Sequence, residues 1–200
     1  MLPLLLASAS PRRRELLERV GVPIEIRPAD INEDPYTGED PVTYVARIAR
    51  GKAAAASPRP GQWVLAADTT VTIDGAILGK AETAHEAAAM LRQLSGRVHQ
   101  VHTAFTLASG SGEAKRYHDG LVSSGVSMIE LDEAAIADYV ASDDWRGKAG
   151  AYALQGIGAA LVRAVHGSVT NVIGLPLAEV LEALRAVGAP TARLAAGTRS

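Results

Sequence analysis

The stretch LPLLLASASPRRRELL at residues 2–17 limits the fold more than any other part of the chain. Leu2 to Ala7 form an apolar run of strand length. Ser10 then stands at a helix N-cap position, with Pro11 as the first helical residue. Leu16, Leu17 and Val20 share one face of that helix, and Gly21 stops it. A buried strand that runs straight into an amphipathic helix is the opening unit of an α/β fold. The alternation continues. PIEIRP is a second strand, Pro28 to Glu39 an acidic loop, and Asp40-Pro41 start a helix through Val42, Val45, Ile48 and Lys52.

The middle of the chain reads WVLAADTTVTIDGAIL, two β-rich runs joined at Asp74-Gly75, a hairpin turn. AHEAAAMLRQL is helical and ends at Ser95-Gly96. Val98 to Leu107 is a strand, ASGSGEA a loop, and Tyr117 to Leu131 further strand. Asp132 caps the helix EAAIADYVAS. A glycine-rich segment follows, then the helix PLAEVLEALRAVG. The hairpins make the sheet mixed rather than parallel. Residues 1–188 are expected to form one domain, and 189–200 a frayed C-terminal tail.

Hydrophobic residues make up 48% of the 200 residues, but only two Trp, five Tyr and one Phe are aromatic. The core must therefore be built from Ala, Val, Leu and Ile. The formal net charge is -2, without a long basic block, which argues against a nucleic-acid partner. No segment reaches the roughly 20 apolar residues of a membrane span. The start MLPLLLASAS carries its charges after the apolar run, unlike a signal peptide. Together these point to a cytoplasmic protein with no membrane partner. The absence of cysteine excludes disulfides, thiolate metal sites and a cysteine nucleophile.

Two stretches carry chemistry. In SASPRRR, a helix start exposes unpaired N–H groups and the positive end of the dipole, which suits an anion. Ser8 and Ser10 add hydroxyls, and Arg12 and Arg13 add guanidinium forks that match phosphate oxygens. The alternative is a capped helix with solvated arginines. In LAADTT, an apolar strand ends in Asp68, followed by Thr69, and a carboxylate at a strand end can hold a divalent metal or activate water. Glu33, from the acidic loop, gains weight only as its partner around a metal. Lys52 and Lys80, taken singly, are surface lysines. LGKAE is not a phosphate-binding loop of the Walker type, and GIGAAL lacks the third glycine of a dinucleotide fingerprint. His99 and His102, three apart in a strand, point to opposite faces and do not chelate. There is no G-x-S-x-G elbow for a serine hydrolase.

LASASPRRRELL, INED, VARIARGKA, AADTTV, LGKAET, LSGRVHQVHTA, WRGKAGAYALQGIGAALV and GSVTNVIGLPL resemble, in order and along nearly the whole chain, the Maf family. Its members are nucleoside triphosphate pyrophosphatases, once described as septum-formation inhibitors. The resemblance implies a mixed α/β fold with two lobes around a deep cleft, a Mg²⁺ or Mn²⁺ cofactor and a homodimer. It implies Asp68 as proton acceptor and Arg12, Thr69 and Gln155 as specificity positions. It also implies Glu33 in the acidic loop and Lys52 and Lys80 facing phosphate. SPRR with AGAYALQG is similar to the branch that acts on dTTP and UTP, and a glutamine amide can pair with the O4 and N3–H edge of their bases. Two positions depart from the family pattern: Ala81 and Val169 stand where proline and tyrosine are usual.

The expected mechanism places Glu33 and Asp68 on the metal and has Asp68 take a proton from the attacking water. Ser8, Ser10, Arg13, Lys52 and Lys80 bind the phosphates. Two other readings stay open: the same chemistry on 7-methyl-GTP, or a nucleotide-binding division regulator without turnover.

Overall fold

A computed structural model describes residues 1–109 and 115–192. Its frame is a seven-stranded mixed sheet in the order β2-β1-β3-β5-β6-β7, with β4 also paired to β3. The strands are β1 (Leu4–Leu6), β2 (Ile24–Ile26), β3 (Val64–Ile73), β4 (Ala76–Leu78), β5 (Val98–Ser109), β6 (Arg116–Met128) and β7 (Val162–His166). β1 runs parallel to β2 and β3, and every other pairing is antiparallel. Asp74 and Gly75 both take left-handed backbone angles, φ 52° and 78°, as a two-residue hairpin between β3 and β4 requires.

The helices are α1 (Pro11–Arg19), α2 (Pro41–Ala55), α3 (Ala84–Leu94), α4 (Glu133–Ala141), α5 (Val169–Ile173) and α6 (Leu177–Ala186). Asp40, Thr83, Asp132 and Ser168 each cap their helix through a side-chain oxygen. Ser10 holds the N-cap position of α1, but its hydroxyl does not cap. Instead the Ser10 N–H donates back to Ser8 Oγ at 3.2 Å.

α2 covers one face of the sheet, where Ala53 and Ala56 meet Leu5, Ala7, Val64 and Ala66, and Val45 and Ala49 meet Ala104. Small alanines bring its backbone close to the strands. The opposite face carries two separate apolar clusters. One packs α1 and α6 on Leu4, Leu6, Leu65 and Phe105. The other packs α3 and α4 on Val71, Ile73, Val101 and Val126, around the buried Trp145.

One detail of the sheet positions the site. β3 is flanked along its length by β5, but on its other side β1 pairs only as far as Leu65 and β4 begins only at Val71. Residues 66–70 therefore border a gap in the sheet. Asp68 was expected at the end of its strand; it lies in the middle of a ten-residue one. The end that matters belongs to β1, which stops beside it.

Other boundaries also shift. Ala108 and Ser109, expected in a loop, continue β5, and the remainder of that loop, 110–114, lies outside the described residues. β6 stops at Met128, before the expected Leu131. The glycine-rich segment contains a 3-10 turn at Ile157–Leu161 and the strand β7. Ala189 and Ala192, expected to fray, are buried in the first cluster; residues 193–200 lie outside the described ones. No helix among the described residues is long and apolar enough to cross a membrane.

Candidate active site

The gap in the sheet opens into a cleft of ≈ 340 Å³. Every residue singled out from the sequence lines it: Ser8, Ser10, Arg12, Arg13, Glu33, Lys52, Asp68, Thr69, Lys80 and Gln155. Successive residues of a strand point to opposite faces. Asp68 therefore turns toward α2, and Thr69 toward α1.

On the α2 side, Lys52 sits on the buried stripe of its helix. Its ammonium lies 2.8 Å from Asp68 Oδ1 and 3.0 Å from Glu33 Oε1. Lys52 thus holds two carboxylates together rather than standing free. The loop that carries Glu33 is tied to the same helix: Tyr44 Oη donates to the Glu33 carbonyl at 3.0 Å, and Arg47 donates to the Asp34 carbonyl at 3.0 Å. Burial, reinforced by the charges of Asp68 and Glu33, pushes the Tyr44 phenol up to about 12, so it stays a donor.

On the α1 side, Arg13 is almost fully buried, and three neutral acceptors fix its guanidinium. Nε donates to the Gly174 carbonyl at 2.8 Å, Nη1 to Ser8 Oγ at 3.0 Å and Nη2 to Thr69 Oγ1 at 3.1 Å. Burial lowers its pKa from the ordinary arginine value, and the charge of Asp68 opposes that. Behind it runs a buried polar chain. Thr69 Oγ1 and Thr103 Oγ1 are 2.9 Å apart, Thr103 donates to the Asn171 carbonyl, and Asn171 Nδ2 donates to Val101 O and Ser124 Oγ. These bonds lock α5 to the sheet and so place the Gly174 carbonyl.

The far wall comes from the glycine-rich segment. Lys80 is exposed and forms an isolated β-bridge to Ala149. That bridge brings Lys148 to the cleft as a further cation, with Tyr152 and Gln155 beyond it. Arg12 is lowered from the usual arginine value, mainly by burial, against the opposing charge of Asp144. His99 and His102 take no part: His99 bonds to Tyr152 Oη, and His102 bonds to Thr72 and Ser123.

No group of three or more metal-ligating side chains occurs among the described residues. Glu33 and Asp68 still form a pair that suits a hard cation. Mg²⁺ commonly takes one or two protein carboxylates and fills its shell with water and phosphate oxygens. Lys52 engages only Oδ1 of Asp68, which leaves the second oxygen for such an ion or for a water.

Sequence reasoning missed Tyr44, Lys148, Tyr152, Asn171 and the Gly174 carbonyl. Lys148 and Tyr152 lie inside WRGKAGAY, but no spacing rule distinguishes them there. A backbone carbonyl has no sequence signal at all.

Comparison with known proteins identifies the family. The family described as Maf-like protein matches residues 3–187. The dTTP/UTP pyrophosphatase of Roseobacter denitrificans is 51% identical over 185 residues, covering 92% of this chain and 96% of that protein. The dTTP/UTP pyrophosphatase of Geobacter sp. (strain M21) is 49% identical over 187 residues, covering 93% and 96%. That of Rhodospirillum rubrum is 50% identical over 188 residues, covering 93% and 88%. Among solved structures, a HAM1 protein from Coxiella burnetii is similar at a TM-score of 0.42 and 23% identity, over 64% of this chain and 73% of that one, too slight a likeness to carry any reading. With the family matched across nearly its full length and relatives at about half identity, the chain belongs to the Maf-like protein family.

Proposed function

We propose that the chain is a nucleoside triphosphate pyrophosphatase that converts dTTP and UTP to the monophosphate and pyrophosphate. One observation carries this reading. Five cations, Arg12, Arg13, Lys52, Lys80 and Lys148, converge with the carboxylates Glu33 and Asp68 on a single cleft. Relatives at about half identity that are named dTTP/UTP pyrophosphatases support the choice of substrate.

Hydrolysis forms a bond from a water oxygen to the α phosphorus and breaks the bond from that phosphorus to the bridging oxygen. The water proton goes to Asp68, whose orientation Lys52 fixes at 2.8 Å. The departing pyrophosphate takes the bonding electrons as negative charge. Arg13, Lys80 and the open N–H groups of the α1 start stabilise it, with Ser8 and Ser10 adding polar contacts. Arg12, Thr69 and Gln155 contact the nucleoside. A Mg²⁺ or Mn²⁺ held by Glu33 and Asp68 would supply further neutralisation of phosphate charge. The family resemblance supports a homodimer working in the cytoplasm.

Product identity tests the reading. Incubation of dTTP or UTP with Mg²⁺ should release pyrophosphate and nucleoside monophosphate. Release of orthophosphate instead would mark an ordinary phosphatase. Preferential turnover of 7-methyl-GTP, or tight nucleotide binding without any product, would each overturn the substrate or the activity.

A further inference from the structure

Asp144 is not among the residues assigned above, yet its carboxylate organises the wall that carries Gln155. Oδ2 accepts from the Gly158 N–H at 3.3 Å. The carboxylate also packs against Gly156, so closely that a Cβ there would lie 3.1 Å from Oδ2 and 3.3 Å from Oδ1. Residues 155–158 therefore wrap around this one side chain, with Gly156 at φ 82° making the close approach. Oδ1 holds Lys148 Nζ at 3.2 Å, and the same ammonium also donates to the Asp144 carbonyl. The charge of Asp144 reaches Arg12 as well.

The platform beneath Asp144 is anchored by burial and hydrogen bonds. Trp145, next in the chain, is fully buried and donates its indole N–H to the Val140 carbonyl at 3.0 Å. The Asp144 N–H donates to Ser142 Oγ at 3.2 Å. On the far side of the turn, the Gly150 N–H donates to the Gly79 carbonyl at 3.0 Å, which binds the segment to the stretch after β4 that carries Lys80. Both ends are thus anchored, while the turn that carries Gln155 gains its side-chain anchor from Asp144.

We propose that Asp144 is a positioning residue for base recognition: it holds the Gln155 turn and the Lys148 ammonium at the cleft wall. The inference rests on the proposed pyrimidine triphosphate substrate. Asp68, Lys52 and Arg13 lie on β3, α2 and α1, and none of their hydrogen bonds among the described residues involves Asp144 or residues 155–158.

The test uses full-length protein and the non-hydrolysable α,β-imido analogues of dUTP and dCTP, with binding measured by calorimetry and turnover of dTTP measured alongside. Asp144→Ala should lower the preference for the dUTP analogue over the dCTP analogue by about tenfold, the size of one lost directed contact. Its kcat on dTTP should stay within about threefold of wild type, the loss appearing in KM. Asp144→Asn keeps an oxygen for the Gly158 N–H and should restore most of the preference. If Asp144→Ala does not fold, Lys148→Met, which frees the carboxylate, should lower the preference in the same direction. An unchanged preference in the variant that folds would overturn the proposal, as would a fall in kcat with the preference intact. A wild-type protein that prefers the dUTP analogue but releases no pyrophosphate would instead overturn the proposed activity and leave this inference standing.

Discussion

His99 should make the protein lose stability well above the pH at which carboxylates protonate. Its ring is 2% exposed, lies edge-on to Tyr152 at 5.3 Å, and binds Tyr152 Oη through Nε2 at 2.6 Å. Nδ1 is buried and has no partner among the described residues. Burial alone pulls its pKa down to about 4 from 6.5. Between those values the unfolded chain binds a proton that the folded chain refuses. Stability from this group is therefore complete above pH 6.5 and falls as the pH drops toward 4. Each pKa unit corresponds to 1.36 kcal/mol, so the full loss is about 3 kcal/mol, of which about 2 kcal/mol is lost by pH 5. Urea unfolding at pH 7.5, 6.5 and 5 would measure it. His99→Gln keeps a polar partner for Tyr152 but cannot titrate. The difference between wild type and variant isolates His99, because His102 and the carboxylates are common to both. Parallel declines in the two proteins would refute the reasoning, and so would an imidazole at His99 that titrates near 6.5 by NMR.

Two substitutions probe the chemistry and its scaffold. Asp68→Asn should lower kcat by on the order of a hundredfold or more in a pyrophosphate-release assay, since it removes the proposed proton acceptor. Its melting curve should stay cooperative. Arg13→Lys keeps the charge but cannot reach Ser8, Thr69 and the Gly174 carbonyl together. Hydrogen bonds from charged groups are worth about 1.5–3 kcal/mol each, so the variant should lose about 3 kcal/mol and melt roughly 6–12 °C lower by calorimetry.

The order of elements was legible because local signals coincide with tertiary ones. Asp40-Pro41 and Asp132 cap where capping chemistry puts them, and Asp74-Gly75 turns the chain as its residue types demand. The strand β7 was not legible. VRAVH follows a glycine-rich run, and its assignment depends on pairing with Gly125 to Met128, about forty residues earlier. Asp68, expected at a strand end, lies instead in the middle of β3. Its strand passes through the gap between β1 and β4, and a gap is a property of neighbouring strands.

The charges of the site show why residue types alone could not assign its roles. Lys52 and Arg13 both read as phosphate cations, yet the fold treats them oppositely. Lys52 is neutralised by two carboxylates, and Lys148 is held by a third. Arg13 is buried, and its acceptors among the described residues are all neutral. A desolvated cation without an ionic hydrogen-bond partner is costly. The nearby charge of Asp68 offsets part of that cost, and a phosphate oxygen would supply the missing anion. The chain as a whole carries a formal charge of -2, while five cations face two carboxylates in the cleft, so the remaining surface is acidic. That contrast directs a highly charged anion to one place. Within that place, the pairing of Lys52 and Lys148 leaves Arg12, Arg13 and the exposed Lys80 as the cations with no carboxylate in contact among the described residues. A phosphate oxygen bound by Arg13 would lie close to Thr69, one residue along β3 from Asp68, the proposed proton acceptor.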